Sequence, residues 1–164
     1  MQDNRIIMLR WLVFILLIAT GSCLLFQGCS KQTPTEAPAS TTVITGSGTM
    51  SVNLSSGPRD DYTFSSAGRN YGKISLATYD GTSATLEAQG IQAGSGTTAP
   101  ESGYGSSASC TAQSLGQGFF IKADTAPHYG RIVITSYTVN GKAQTITVGF
   151  DWVVQTTAGD RNLQ

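Results

Sequence analysis

The sequence predicts an all-β protein, a single antiparallel β-sandwich or barrel-like domain, from three observations. In Thr145–Val154 the residues Ile146, Val148, Phe150, Trp152 and Val154 alternate with mostly polar neighbours, the period of a strand with one buried face. Two runs rich in β-branched and aromatic residues end at Asp80-Gly81 and Asn140-Gly141, dipeptides that tolerate the positive φ of tight hairpin turns. Beyond the first thirty residues no apolar pattern recurs at helical spacing, and Gly, Ser and Thr are too frequent for long helices.

Taken in chain order, the first element is a leader over residues 1–28. Arg5 and Arg10 precede the apolar run Trp11–Ala19, which Thr20-Gly21-Ser22 interrupts before it reaches the roughly 20 clean residues of a stable membrane span. Phe26-Gln27-Gly28-Cys29-Ser30 resembles a bacterial lipobox, which makes Cys29 the expected lipidation site. A diacylglycerol thioether with a second acyl group, such as palmitate, on the freed amine holds several chains in the bilayer, enough for stable attachment. Residues 29–48, with Pro34, Pro38 and many Ser and Thr, read as a flexible tether.

The β domain is expected over 49–156. Met50, Val52 and Leu54 mark a first short strand. Tyr71–Tyr79 and Thr82–Ala88 form a hairpin around Asp80-Gly81. Phe119–Ala123 is a further strand, and Arg131–Val139 pairs with Thr145–Val154 around Asn140-Gly141. Residues 92–118, rich in Gly, Ser, Thr and Ala, read as a long irregular loop, disordered or partly ordered, with a ligand-covering flap as the second reading. Residues 157–164 form a short C-terminal tail.

The chemistry the sequence offers is sparse. Lys and Arg total 10, Asp and Glu 10, and charged residues are 12% of the chain, so the footprint of a nucleic-acid binder is missing. With Cys23 in the leader and Cys29 lipidated, Cys110 has no partner for an intramolecular disulfide, and no CxxC or Cys/His pair suggests a metal site. The one histidine, His128, pairs with Cys110 or Ser107 in no recognisable catalytic motif and reads as an exposed turn residue, so no catalytic residues are assigned and no enzyme is expected. Asp80 is explained by its turn, and Asp60-Asp61 reads as a solvated loop. Aromatic residues are the remaining lead, since Tyr71, Tyr79, Tyr129 and Tyr137 share one face if their strands pair in register. The alternative is ordinary cross-strand packing.

The segments Gly118–Asp124, His128–Tyr137 and Ile146–Gln155 together resemble the C-terminal part of the HmuY-like family of bacterial lipoproteins, and Asp61–Gly68 is similar to an earlier aromatic-Phe-Ser-x-Gly segment of that family. The resemblance implies a β-rich, membrane-anchored lipoprotein and, in some members, capture of haem between two axial histidines. This chain has His128 alone, so no cofactor is assigned and haem enters only through the likeness.

The expected function is that of a non-enzymatic lipoprotein, anchored by lipid in the bacterial cell envelope; Ser30 rather than Asp after the lipidated cysteine resembles bacterial sorting patterns that imply the outer membrane of a Gram-negative cell. It presents a β domain for an envelope protein or a small hydrophobic ligand, or for envelope structure. His128, Tyr129, Tyr71 and Tyr104 are the candidate ligand-binding residues. A small-ligand or haem carrier is the alternative, and an envelope hydrolase a third reading.

Overall fold

The computed structural model describes residues 43–164; the expected leader, Cys29 and the expected tether as far as residue 42 lie outside the described residues. Among the described residues no helix is long and apolar enough to cross a membrane. Eight antiparallel strands make a nearly closed, barrel-like sheet: β1 (Val43–Asn53), β2 (Arg59–Ser66), β3 (Arg69–Ala77), β4 (Ala84–Ala93), β5 (Gly105–Cys110), β6 (Gly118–Lys122), β7 (Tyr129–Asn140) and β8 (Thr145–Gln155). Their order is β1-β8-β7-β6-β4-β3-β2, with β5 paired to β4 off this path.

The strands form where side-chain alternation can bury one face. Ile146, Val148, Phe150, Trp152 and Val154 of β8 all enter the interior, joined by Ile132 and Ile134 of β7 and by Met50 and Val52 of β1. The β7–β8 hairpin lies where Asn140-Gly141 predicts it, but its loop has four residues, Asn140 being opposite Thr145. Positive φ falls on Gln144 (50°), and the Asn140 side chain accepts from the Ala143 N–H at 3.1 Å. The tight two-residue turn occurs instead at Ala67-Gly68 (φ 49° and 77°), between the paired Ser66 and Arg69.

β1 begins at Val43, six residues before the expected domain start, and runs through Gly46, Ser47 and Gly48. These residues read as tether because they lack apolar side chains. A Cβ on Gly46 would sit 2.6 Å from the Trp152 ring and one on Gly48 2.6 Å from the Tyr62 ring, so the glycines admit aromatic rings over a strand backbone.

β1 and β2 are the two ends of the sheet, and side chains fasten them across the seam. Trp152 Nε1–H donates to Tyr62 Oη at 3.1 Å, Tyr62 O–H donates to the Ser47 carbonyl at 3.0 Å, and the Ser51 N–H donates to Asp60 Oδ2 at 2.8 Å. Asp60-Asp61 therefore belongs to strand β2 rather than to a solvated loop. The residues alternate sides there, Asp60 reaching the seam and Asp61 an outer ion-pair network.

The segment 92–118, expected as a disordered or partly ordered loop, carries regular structure. It contains the end of β4, all of β5 and a 3₁₀ turn at Ala112–Ser114. Its stretch around Ala99 covers a second, outer cluster of Phe120, Tyr129, Val153 and Leu163. The C-terminal tail completes this cover, with the Ala99 N–H donating to the Arg161 carbonyl at 2.8 Å and the Leu163 N–H to the Thr97 carbonyl at 2.7 Å.

Candidate functional site

The four candidate ligand-binding residues fall into two groups on opposite sides of the sheet wall. Tyr71 belongs to the inner cluster and meets His128 edge-on, with ring centroids 5.6 Å apart. A bulge puts it there. Between the pairs Thr63–Lys73 and Ser65–Asn70, Tyr71 and Gly72 together oppose Phe64, and Gly72 takes φ 104°. The bulge turns Tyr71 inward, onto the same side as Ile74.

His128 is not an exposed turn residue. Its side chain is 16% exposed, and Nδ1 lies 2.6 Å from Asp124 Oδ2. Asp124 also accepts from the His128 backbone N–H at 2.9 Å, while the His128 carbonyl accepts from the Ala123 N–H at 2.9 Å. These bonds close the β6–β7 loop into a compact unit. The carboxylate fixes the imidazole as in a base-orienting pair, but its partner ring is the buried Tyr71, so the contact serves packing.

Tyr129 points outward into the second cluster, where its ring lies 6.2 Å from that of Tyr104. Lys122 stands over both, its ammonium 4.7 Å from the Tyr104 centroid and 5.7 Å from that of Tyr129. Burial pushes the Tyr104 phenol up to about 12, and its O–H donates to the Pro100 carbonyl at 3.1 Å. This arrangement pins the 94–104 segment to β6 and β7. The single tyrosine face does not form: Tyr71 faces inward and Tyr129 outward, Tyr137 is half-buried against the core, and Tyr79 stands in the β3–β4 loop.

A site that sequence reading missed lies on the outer wall where the sheet branches. The β3–β4 ladder ends at Ser75–Glu87 and the β4–β6 ladder starts at Gly90–Lys122, while β4 shifts register against β5 between Glu87 and Ile91. Ala88 and Gln89 therefore have no ladder partner, and a cleft of about 720 Å³ opens over them. Ion pairs line its rim. Arg59 Nη1 lies 2.5 Å from Glu87 Oε2, Lys73 Nζ 2.6 Å from Asp61 Oδ2, and Arg59 also donates to Ser75 Oγ at 2.8 Å. The hydrogen bond from Lys73 is the main reason that the Asp61 carboxyl is held down at about 2. Tyr79 joins through its O–H, which donates to Glu87 Oε1 at 2.9 Å. The available signal was the two-residue spacing of Arg59 and Asp61 and of Lys73 and Ser75, an outward polar face on each of two strands.

The Asp80 carboxylate accepts from the Thr82 and Ser83 N–H groups, both at 2.8 Å, and those bonds with the Ser83 hydroxyl hold its pKa well below the usual carboxylate range. Its role is to shape the β3–β4 turn.

Cys110 ends β5 inside the core, fully buried, and burial pushes its thiol up to about 11. Such a thiol stays protonated and is a poor nucleophile. Because the folded state raises this pKa from 9.0, its contribution to stability is complete below pH 9 and is lost as pH rises through about 11. Titrated by chemical denaturation, the protein is expected to lose roughly 2–3 kcal/mol over that window from this group. A Cys110→Ala variant is expected to flatten that alkaline slope; an unchanged slope would assign the loss to other groups.

Among the described residues no cluster of three His, Cys, Asp or Glu side chains is placed to hold a metal ion. No family model matches the chain, and no curated protein or solved structure matches it.

Proposed function

We propose that this chain is a lipid-anchored bacterial envelope protein that acts by binding rather than turnover, its β domain held off the membrane by a short tether. The observation that carries the binding reading is the branched-sheet cleft. Its walls are four strands and the β6–β7 loop, so most of its lining is carried on the sheet itself and a ligand orders little backbone on arrival. The barrel-like interior, in contrast, is filled by aliphatic and aromatic side chains. The anchor reading is supported by Gly28-Cys29 after the apolar run.

The test of the anchor is the intact mass of protein extracted from membranes, with a Cys29→Ala variant beside it. The expected mass corresponds to a chain beginning at Cys29 plus its acyl groups, and the variant is expected to lack them. A chain that keeps residues 1–28, or is cut elsewhere without lipid, overturns the anchor.

A further inference from the structure

We infer that the branched-sheet cleft takes an uncharged oligosaccharide, with the exposed Tyr79 ring as its stacking platform. The inference rests on reading the domain as a binding module and names the ligand class of that same cleft. Four observations converge on it.

Tyr79 is 75% exposed, the one exposed aromatic among the described residues, while the other tyrosines are buried or half-buried. Tyr79 does not itself line the cleft, but its O–H bond to Glu87, which does, ties the phenol end of the ring beside that lining. An aromatic ring presents an electron-rich face, and the C–H groups on one side of a pyranose are the complement to it.

The lining argues against other ligand classes. No apolar side chain larger than alanine faces the cleft, so it offers no anchor pocket for a hydrophobic peptide side chain, an acyl chain or a porphyrin. Its charged side chains already have partners, Arg59 with Glu87 and Asp61, Lys73 with Asp61, and Asp124 with His128. The paired charges cancel, so the cleft offers little net charge to draw in a strongly anionic or cationic ligand.

What the cleft presents to a ligand is hydroxyl and amide chemistry. Asn70, Gln89, Ser106, Ser107 and Thr125 line it and are exposed. Each of these side chains both donates and accepts, as the hydroxyls of a sugar do.

The experiment is isothermal titration of the full-length protein, in a detergent without a sugar headgroup, against neutral hexasaccharides of glucose, mannose and N-acetylglucosamine. Saturable binding of at least one is expected, weakened about tenfold by Tyr79→Ala, a modest loss for a single truncated contact residue. Tyr79→Trp is expected to retain binding, and neither variant should shift the melting temperature, because the side chain lies outside the core. Absence of binding across the panel, or binding indifferent to Tyr79→Ala, overturns the inference. A protein partner captured by a photo-cross-linker at Gln89, with no sugar bound, also overturns it while leaving the binding-module reading in place.

Discussion

Replacing Phe64 by alanine is expected to lower the unfolding free energy by about 3–5 kcal/mol, the range for deleting a fully buried phenyl ring. Phe64 is 0% exposed and stands in the middle of an aromatic group that joins strands from both ends of the sheet. Its ring lies 5.3 Å from Trp152 and 5.6 Å from Tyr62, each edge-on, and Tyr62 in turn meets Phe150 at 5.1 Å. Phe150 and Trp152 come from β8 beside β1, and Phe64 and Tyr62 from β2. Because no backbone ladder joins β1 to β2 over this span, the rings, the hydrogen bonds of Tyr62 and the Ser51–Asp60 bond carry the closure. Edge-to-face pairs of this kind add about 0.5–1.5 kcal/mol beyond the area they bury. Against a total stability of about 5–15 kcal/mol, the loss is a large share, and a fall in Tm of roughly 10–20 °C should accompany it. Thermal and urea unfolding followed by circular dichroism measure it, with Phe64→Leu as a milder comparison. A loss under about 1 kcal/mol would show that the seam is held by something other than these rings.

The same region shows where sequence reading succeeds and where it stops. The face of Ile146, Val148, Phe150, Trp152 and Val154 is legible because strand alternation is a local property, and all five lie in the interior. Gly46 and Gly48 are illegible because their reason is a ring from another strand, Trp152 over one and Tyr62 over the other. β5 escapes for a related reason: Gly105-Ser-Ser-Ala-Ser109 has no apolar alternation, and its pairing with β4 gives it its structure. The candidate residues were found as chemistry without arrangement. Tyr71 meets His128 and Tyr104 meets Tyr129, but each pair packs, and the bulge that turns Tyr71 inward leaves only a glycine in the sequence. The cleft gathers side chains from four strands and the β6–β7 loop, so no linear motif marks it.

Gly72→Ala is expected to cost more than any other single added methyl near the site, about 2–5 kcal/mol, from two separate terms. The first is conformational: at φ 104° an L side chain is strained, which costs about 1–2 kcal/mol. The second is steric. A Cβ at this position would lie 2.3 Å from the Ala123 carbonyl oxygen and 2.4 Å from its carbon, and backbone atoms cannot turn aside as a flexible side chain can. Overpacking of that kind costs about 1–3 kcal/mol more. Gly68 separates the terms, since its φ is 77° but a Cβ there meets nothing within 4 Å. Gly68→Ala should therefore show the conformational term alone, about 1–2 kcal/mol. The excess at Gly72 has a particular structural consequence. Lys73 N–H donates to the same Ala123 carbonyl at 3.0 Å, the bond that joins β3 to the end of β6. Pushing that carbonyl away loosens the β6–β7 loop, and with it the Asp124–His128 pair and the wall of the cleft that Asp124 and Thr125 provide. Hydrogen exchange should then show faster opening at Lys73 and Ala123 in Gly72→Ala but not in Gly68→Ala. Equal costs and equal exchange in the two variants would mean that the strands do not meet as closely at this branch point as the close approach of Gly72 to Ala123 requires.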